Sequence, residues 1–98
     1  MTDADSIGFE FEWNGSKARS NVRRHGVEFA AAITAFDDPL SLTVPDPDHS
    51  STEERFLLVG HAADGRIVVV SFVERGFRLR IISARLATRH ERRSYQDE

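Results

Sequence analysis

The chain has no cysteine, and that one absence removes disulfide staples, thiolate metal sites and cysteine nucleophiles together. Proline and glycine are scarce, 3 and 6 in 98 residues, while 40% of the chain is hydrophobic, the balance of a folded domain rather than a disordered tail. Apolar runs such as Ile67 to Val70 are far shorter than the ~20 residues that cross a bilayer, so no membrane partner is expected. The start of the chain, with Asp3 and Asp5, lacks the basic-then-apolar pattern of a secretion signal. A soluble, cytoplasmic protein is the expectation, folded as a single domain over residues 1–98 with residues 1–8 flexible. Phosphate-cradling glycine loops, zinc motifs and nucleophile elbows are missing as well, so no cofactor is expected.

Lysine is nearly missing too: twelve of the thirteen bases are arginine, whose planar guanidinium forks onto phosphate in two-point contacts. The net charge of −3 argues against a protein that coats nucleic acid, yet the charges are segregated. Six acids and no base lie between Asp37 and Glu54, whereas Arg75 to Arg93 holds seven arginines against the single acid Glu91. An acidic average with a basic end points to a local anion site.

Alternating apolar and acidic residues over Phe9 to Trp13 predict a half-buried first strand. Asn14 or Ser16 caps a helix that runs through Lys17 and Val22, and Gly26 suits its left-handed end. Phe29, Ala32, Ile33 and Phe36 recur at helical spacing, predicting a second helix over residues 28–36, ended by Asp37-Asp38-Pro39. Leu40, Leu42 and Val44 alternate as an outer strand, and Phe56 to Gly60 and Ile67 to Val73 are apolar strands joined through Ala63-Asp64-Gly65. After a turn at Glu74-Arg75-Gly76, Phe77, Leu79 and Ile81 alternate with Arg78 and Arg80, which places Phe77 in the core and the arginines outside it. Thr88 to Glu91 has the form of a capping box opening a short C-terminal helix. The fold class is therefore α+β: a small domain with a largely antiparallel sheet, two N-terminal helices and a short C-terminal one.

Arg78, Arg80 and Arg85, with Arg89, Arg92 and Arg93 on the last helix, can grip successive phosphates and stabilise the transition state of phosphodiester cleavage. A solvated charged face, or arginines paired with the acids of the first strand, is the plainer reading of the same residues. His25 can serve as an acid or base, or simply complement the helix dipole. Asp46, Asp48 and His49 superficially suggest a hard-metal site, but Pro-Asp-Pro-Asp is turn chemistry, and no metal is expected there. Glu91 has a capping job, and Tyr95 lies on its helix face.

Phe11-Glu12-Trp13-Asn14, Lys17, Asn21, His25-Gly26-Val27 and Phe36-Asp37-Asp38-Pro39 resemble the BrnT toxins. Glu54-Arg55, Gly60, Glu74-Arg75-Gly76, Arg80-Ile81-Ile82-Ser83-Ala84-Arg85, Ala87-Thr88, Glu91-Arg92 and Tyr95 continue the resemblance over about residues 9–98. Asn14 stands where the family usually has Asp, Glu28 replaces a Ser or Asp cap, and Ala30-Ala31 replaces an acidic pair. The resemblance implies a RelE-like ribonuclease toxin of a type II system, neutralised by a BrnA-like antitoxin through which alone it meets DNA. With it added, the expected function is a metal-independent endoribonuclease that cleaves RNA and inhibits translation. Arg80 and Arg85 would hold the phosphate and transition state, with Lys17 and Arg55 beside them, His25 as first acid–base candidate and Tyr95 as second. Arg78, Arg89, Arg92 and Arg93 would bind the RNA backbone. The alternative is a non-catalytic binding module built on the same arginines.

Overall fold

The computed structural model describes residues 10–46 and 53–96. Phe9, the terminal residues 1–8 expected to be flexible, and Asp48 and His49 lie outside the described residues. In chain order the elements are β1 (Glu10–Glu12), α1 (Gly15–His25), α2 (Phe29–Ala32) running into a 3₁₀ turn (Ile33–Asp37), β2 (Leu42–Pro45), β3 (Arg55–His61), β4 (Ile67–Arg75), β5 (Arg78–Leu86) and α3 (Arg89–Gln96). The five strands form one sheet in the order β1-β5-β4-β3-β2. Strands β2 to β5 make the expected antiparallel meander, and β1 adds in parallel to the start of β5.

Local chemistry accounts for the element ends. The Asn14 side chain accepts the Lys17 N–H at 3.0 Å to open α1, and Gly26, at φ 70°, closes it with an N–H bonded to the Val22 carbonyl. Thr88 and Glu91 complete a capping box, each side chain taking the other's backbone N–H, at 2.8 and 3.1 Å. The expected second helix holds its α form only to Ala32. Beyond it the Thr34 hydroxyl donates to the Ala31 carbonyl and takes the Ala63 N–H, and the chain tightens into 3₁₀ geometry. With three residues per turn, Phe29, Ala32 and Ala35 form the buried stripe, while Ile33 and Phe36 pack from its side.

Phe77 is a second departure. Arg75 pairs directly with Arg78, so Gly76 and Phe77 are the two turn residues, and Phe77 is 83% exposed rather than in the core. The inward residues of β5 are Leu79, Ile81 and Ala84. They meet Val68, Val70 and Phe72 of β4 and Leu58 of β3 beneath Val27, Phe29, Ala32 and Ala35. Phe36 joins edge strand β1 to the central strand β4, its ring 5.0 Å from Phe11 and 5.1 Å from Phe72.

The opposite sheet face is only partly covered. Helix α3 lays Tyr95 over Ile67, Val69, Leu42, Leu57, Val59 and Ala87 at one end of the strands. At the other end of that face Ser71 and Val73 are buried, Val73 between half-buried Arg55 and Arg80. Among the described residues, no helix is long and apolar enough to cross a membrane.

Candidate functional site

Strand register assembles the end of that sheet face beyond α3. Arg55, Val73 and Arg80 stand opposite one another on β3, β4 and β5, so both arginines rise from one face about 10 Å apart at Cα. A β-bulge sets the facing of the rest of β5. Phe72 pairs with Ile81 but Ser71 pairs with Ser83, leaving Ile82 as an extra residue. Strict alternation from Leu79 and Ile81 would turn Ser83 and Arg85 into the core; the bulge turns Ala84 inward and keeps Ser83 and Arg85 on the face of Arg80.

Beyond Glu12, where β1 stops, α1 takes over the edge of β5. The buried Asn21 side chain substitutes for a strand there: it donates to the carbonyls of Ala84 (2.8 Å) and Val27 (2.9 Å) and accepts the Ala84 N–H (3.1 Å). Lys17, Ser20, Asn21 and Arg24 recur at i, i+3, i+4 and i+7, one stripe of the helix. With Arg55, Ile82 and Ser83 they line a cleft of about 330 Å³. Among the described residues, three cations and two hydroxyls face this space, and no carboxylate lines it.

The expected site residues divide among several places. Lys17 and Arg55 share the cleft, and Arg80 stands in the row with Arg55. Arg80 also donates to Glu12 at 3.1 Å, and this bond outweighs desolvation to hold the Glu12 carboxyl below the ordinary range. Arg78 reaches Glu10 and Glu12 at 3.4 Å. Arg85 forks onto Glu91 through contacts of 2.8 and 2.9 Å. His25 ends α1 one residue beyond Arg24, exposed and outside the cleft lining. Arg89, Arg92 and Arg93 line a groove with Gln96 on α3. Tyr95 is buried and faces Asp38 and His61 instead of the cleft. Asp46 is buried just past β2, its backbone N–H on the Arg55 carbonyl.

Arg24, Ser20 and Ser83 were not singled out in the sequence. Helical spacing from Lys17 carries a signal for Ser20 and Arg24; for Ser83 the signal is its place in the Arg80–Arg85 motif alone, because nothing local marks the bulge.

The Arg85–Glu91 fork has a consequence in acid. The Arg85 hydrogen bonds, opposed by desolvation, bring the Glu91 carboxyl from 4.5 down to about 2. A carboxyl with a depressed folded pKa stabilises fully above its unfolded value, and that contribution is lost as pH falls from about 4.5 towards 2. Stability should therefore drop over this window in the native chain and drop less in Glu91→Gln. Thermal unfolding at pH 6 and pH 3 measures it; identical pH dependence in both proteins would mean the fork is too solvated to matter.

A small α+β domain whose cleft presents cations and hydroxyls is suited to holding the phosphates of a nucleic-acid chain. The family model described as "Ribonuclease toxin, BrnT, of type II toxin-antitoxin system" matches residues 13–91, and the chain belongs to that family. The fold is similar to the crystal structure of the Brucella abortus ribonuclease toxin BrnT, with a TM-score of 0.65 and 26% identity over 81% of this chain and 96% of that one. Among curated proteins nothing matches. The family is one of ribonuclease toxins, and a type II toxin has an antitoxin partner.

Proposed function

We propose that the chain is a metal-independent endoribonuclease whose phosphate site is the cleft of Lys17, Arg24 and Arg55. The observation that carries this reading is the cleft lining itself, three cations and two hydroxyls without a carboxylate among the described residues. Such a donor set suits a phosphodiester oxygen and offers a hard metal ion no anionic ligand. The substrate's 2′-hydroxyl attacks the adjacent phosphorus, the new 2′-O–P bond forms, and the P–O5′ bond breaks. The 2′ proton goes to a base, and the departing 5′ oxygen takes a proton from an acid, leaving a cyclic phosphate and a 5′-hydroxyl.

Lys17, Arg24 and Arg55 hold the non-bridging oxygens as charge develops on them. Arg80 and Arg85 exchange their carboxylate partners, Glu12 and Glu91, for phosphate as RNA arrives. His25, at the helix end beside Arg24, is the candidate acid–base group. Arg78, Arg89, Arg92 and Arg93 track the backbone on either side. RNA cleavage of this kind inhibits translation in the cytoplasm. A BrnA-like antitoxin silences it by covering the basic face, and operator DNA is bound only through that antitoxin.

Cleavage of a synthetic RNA by the purified chain should persist in excess EDTA. Loss of activity on chelation, restored by Mg²⁺ or Mn²⁺, would overturn the metal-free mechanism. Tight RNA binding with no cleavage at all would favour the non-catalytic module.

A further inference from the structure

Asp38, Tyr95 and His61 form a hydrogen-bonded chain that the cleavage chemistry above leaves unused. Asp38 accepts the Tyr95 hydroxyl and the His61 backbone N–H (2.8 Å) on one oxygen, and the Leu40 N–H (2.9 Å) on the other. Burial opposes charge on Asp38, but these bonds prevail and hold its carboxyl below the usual value. Burial, and then the bond to Asp38, push the Tyr95 phenol up to about 12, so it remains a donor at neutral pH.

Because the phenol proton goes to Asp38, the 2.9 Å contact between Tyr95 and His61 Nδ1 must have the imidazole as donor. In the neutral imidazole this places the proton on Nδ1 and leaves Nε2 as an acceptor. The His61 side chain is 45% exposed. It borders a recess of about 460 Å³ together with Pro39, Leu40, Leu42, Tyr95 and Gln96. Leu40, at 71% exposure, stands as an uncovered apolar rim. Gln96 lines both this recess and the groove of Arg89, Arg92 and Arg93.

We propose that the recess is a nucleobase subsite, in which one unpaired base of single-stranded RNA packs against Leu40, Leu42 and the His61 ring. The inference rests on the ribonuclease reading. Proteins read single-stranded RNA by splaying bases onto aromatic and apolar side chains while cations hold the flanking phosphates, and the two sets adjoin here at Gln96. His61 Nε2 accepts an N–H from the base edge, and the Gln96 amide offers both a donor and an acceptor. Asp38 lines the recess too, but its two oxygens are occupied by three donors, which offset its charge towards the strand. Arg55 and His61 lie at opposite ends of β3, six residues and roughly 20 Å apart. A stacked strand rises about 3.4 Å per nucleotide, so the selected base falls within about six nucleotides of the cut. The recess therefore sets where the cleft cuts without taking part in the chemistry.

Two measurements test this with the full chain. In the first, single-stranded RNAs that vary one base at a time are cleaved by the native protein, His61→Ala, Leu40→Ser and Arg55→Ala. The expected result is a base preference at a fixed offset from the cut. His61→Ala and Leu40→Ser should raise KM several-fold and flatten that preference, with kcat within about twofold; exposed Leu40 keeps the fold safe in the second variant. Arg55→Ala should lose kcat instead. Unchanged KM and preference in both recess variants, with cleavage lost in Arg55→Ala, refutes the subsite and leaves the ribonuclease reading standing. In the second, a short 2′-O-methyl RNA that cannot be cleaved is titrated while the amide resonances of His61, Leu40 and Gln96 are followed. Shifts there support the subsite even if the chain cleaves nothing. Shifts confined to Lys17 and Arg55, or recess shifts produced by the antitoxin and never by RNA, overturn it.

Discussion

Arg55→Ala is expected to lower RNA cleavage about 10²-fold while the domain remains folded, since losing one donor to a developing oxyanion typically costs about 3 kcal/mol. Arg55 is the cleft cation supplied by the sheet; Lys17 and Arg24 both come from α1. Its backbone keeps its place in β3 opposite Val73 whatever side chain it carries, so the loss should appear in rate and not in stability. Arg55→Lys should rescue poorly, because a point charge does not reproduce the fork. Cleavage assays at matched concentration, with circular dichroism to confirm folding, decide the matter. If Arg55→Ala cuts RNA as fast as the native chain, the cleft is not the phosphate site, and attention moves to the groove of Arg89, Arg92 and Arg93.

Asn21→Ala should destabilise the domain by roughly 3–5 kcal/mol. It removes three hydrogen bonds at once and strands the carbonyls of Val27 and Ala84 and the Ala84 N–H in a buried place. A domain of this size has a total of about 5–15 kcal/mol to lose, so the variant would be partly unfolded under mild denaturant. Asn21 also anchors α1 to β5, which sets the distance between Lys17 and Ser83, so residual folded protein should cleave poorly. Ser20→Ala, which alters the same cleft without touching that anchor, should leave stability nearly unchanged. A denaturation midpoint in Asn21→Ala close to the native one would show that water replaces the amide and that the edge of β5 is not sealed.

Features that depend on a few neighbouring residues were legible in the sequence. The Asn14 cap, the left-handed Gly26 and the Thr88–Glu91 box each satisfy backbone groups within three or four positions, so residue type alone announces them. The meander was legible for a related reason: the apolar runs of β3 and β4 mark strands packed on both faces, and alternation over β5 records which of its faces meets the core. Phe77 misled because alternation has no marker for where a strand begins. Only the pairing of Arg75 with Arg78 puts it in the turn.

The sequence by itself thus determined the elements, the α+β class, the family and the wealth of arginine available for an anion site. The tertiary structure alone decided which cations meet. Arg55 and Arg80 are aligned by register across β4, and Lys17 and Arg24 share a cleft with Arg55 through the Asn21 anchor. Arg85 is kept out of the core by the extra residue at Ile82, and Tyr95 is drawn away from the cleft by Asp38. Each of these placements depends on groups far apart in the chain, where spacing carries no trace of the contact and only the closing of the sheet and its helices fixes it.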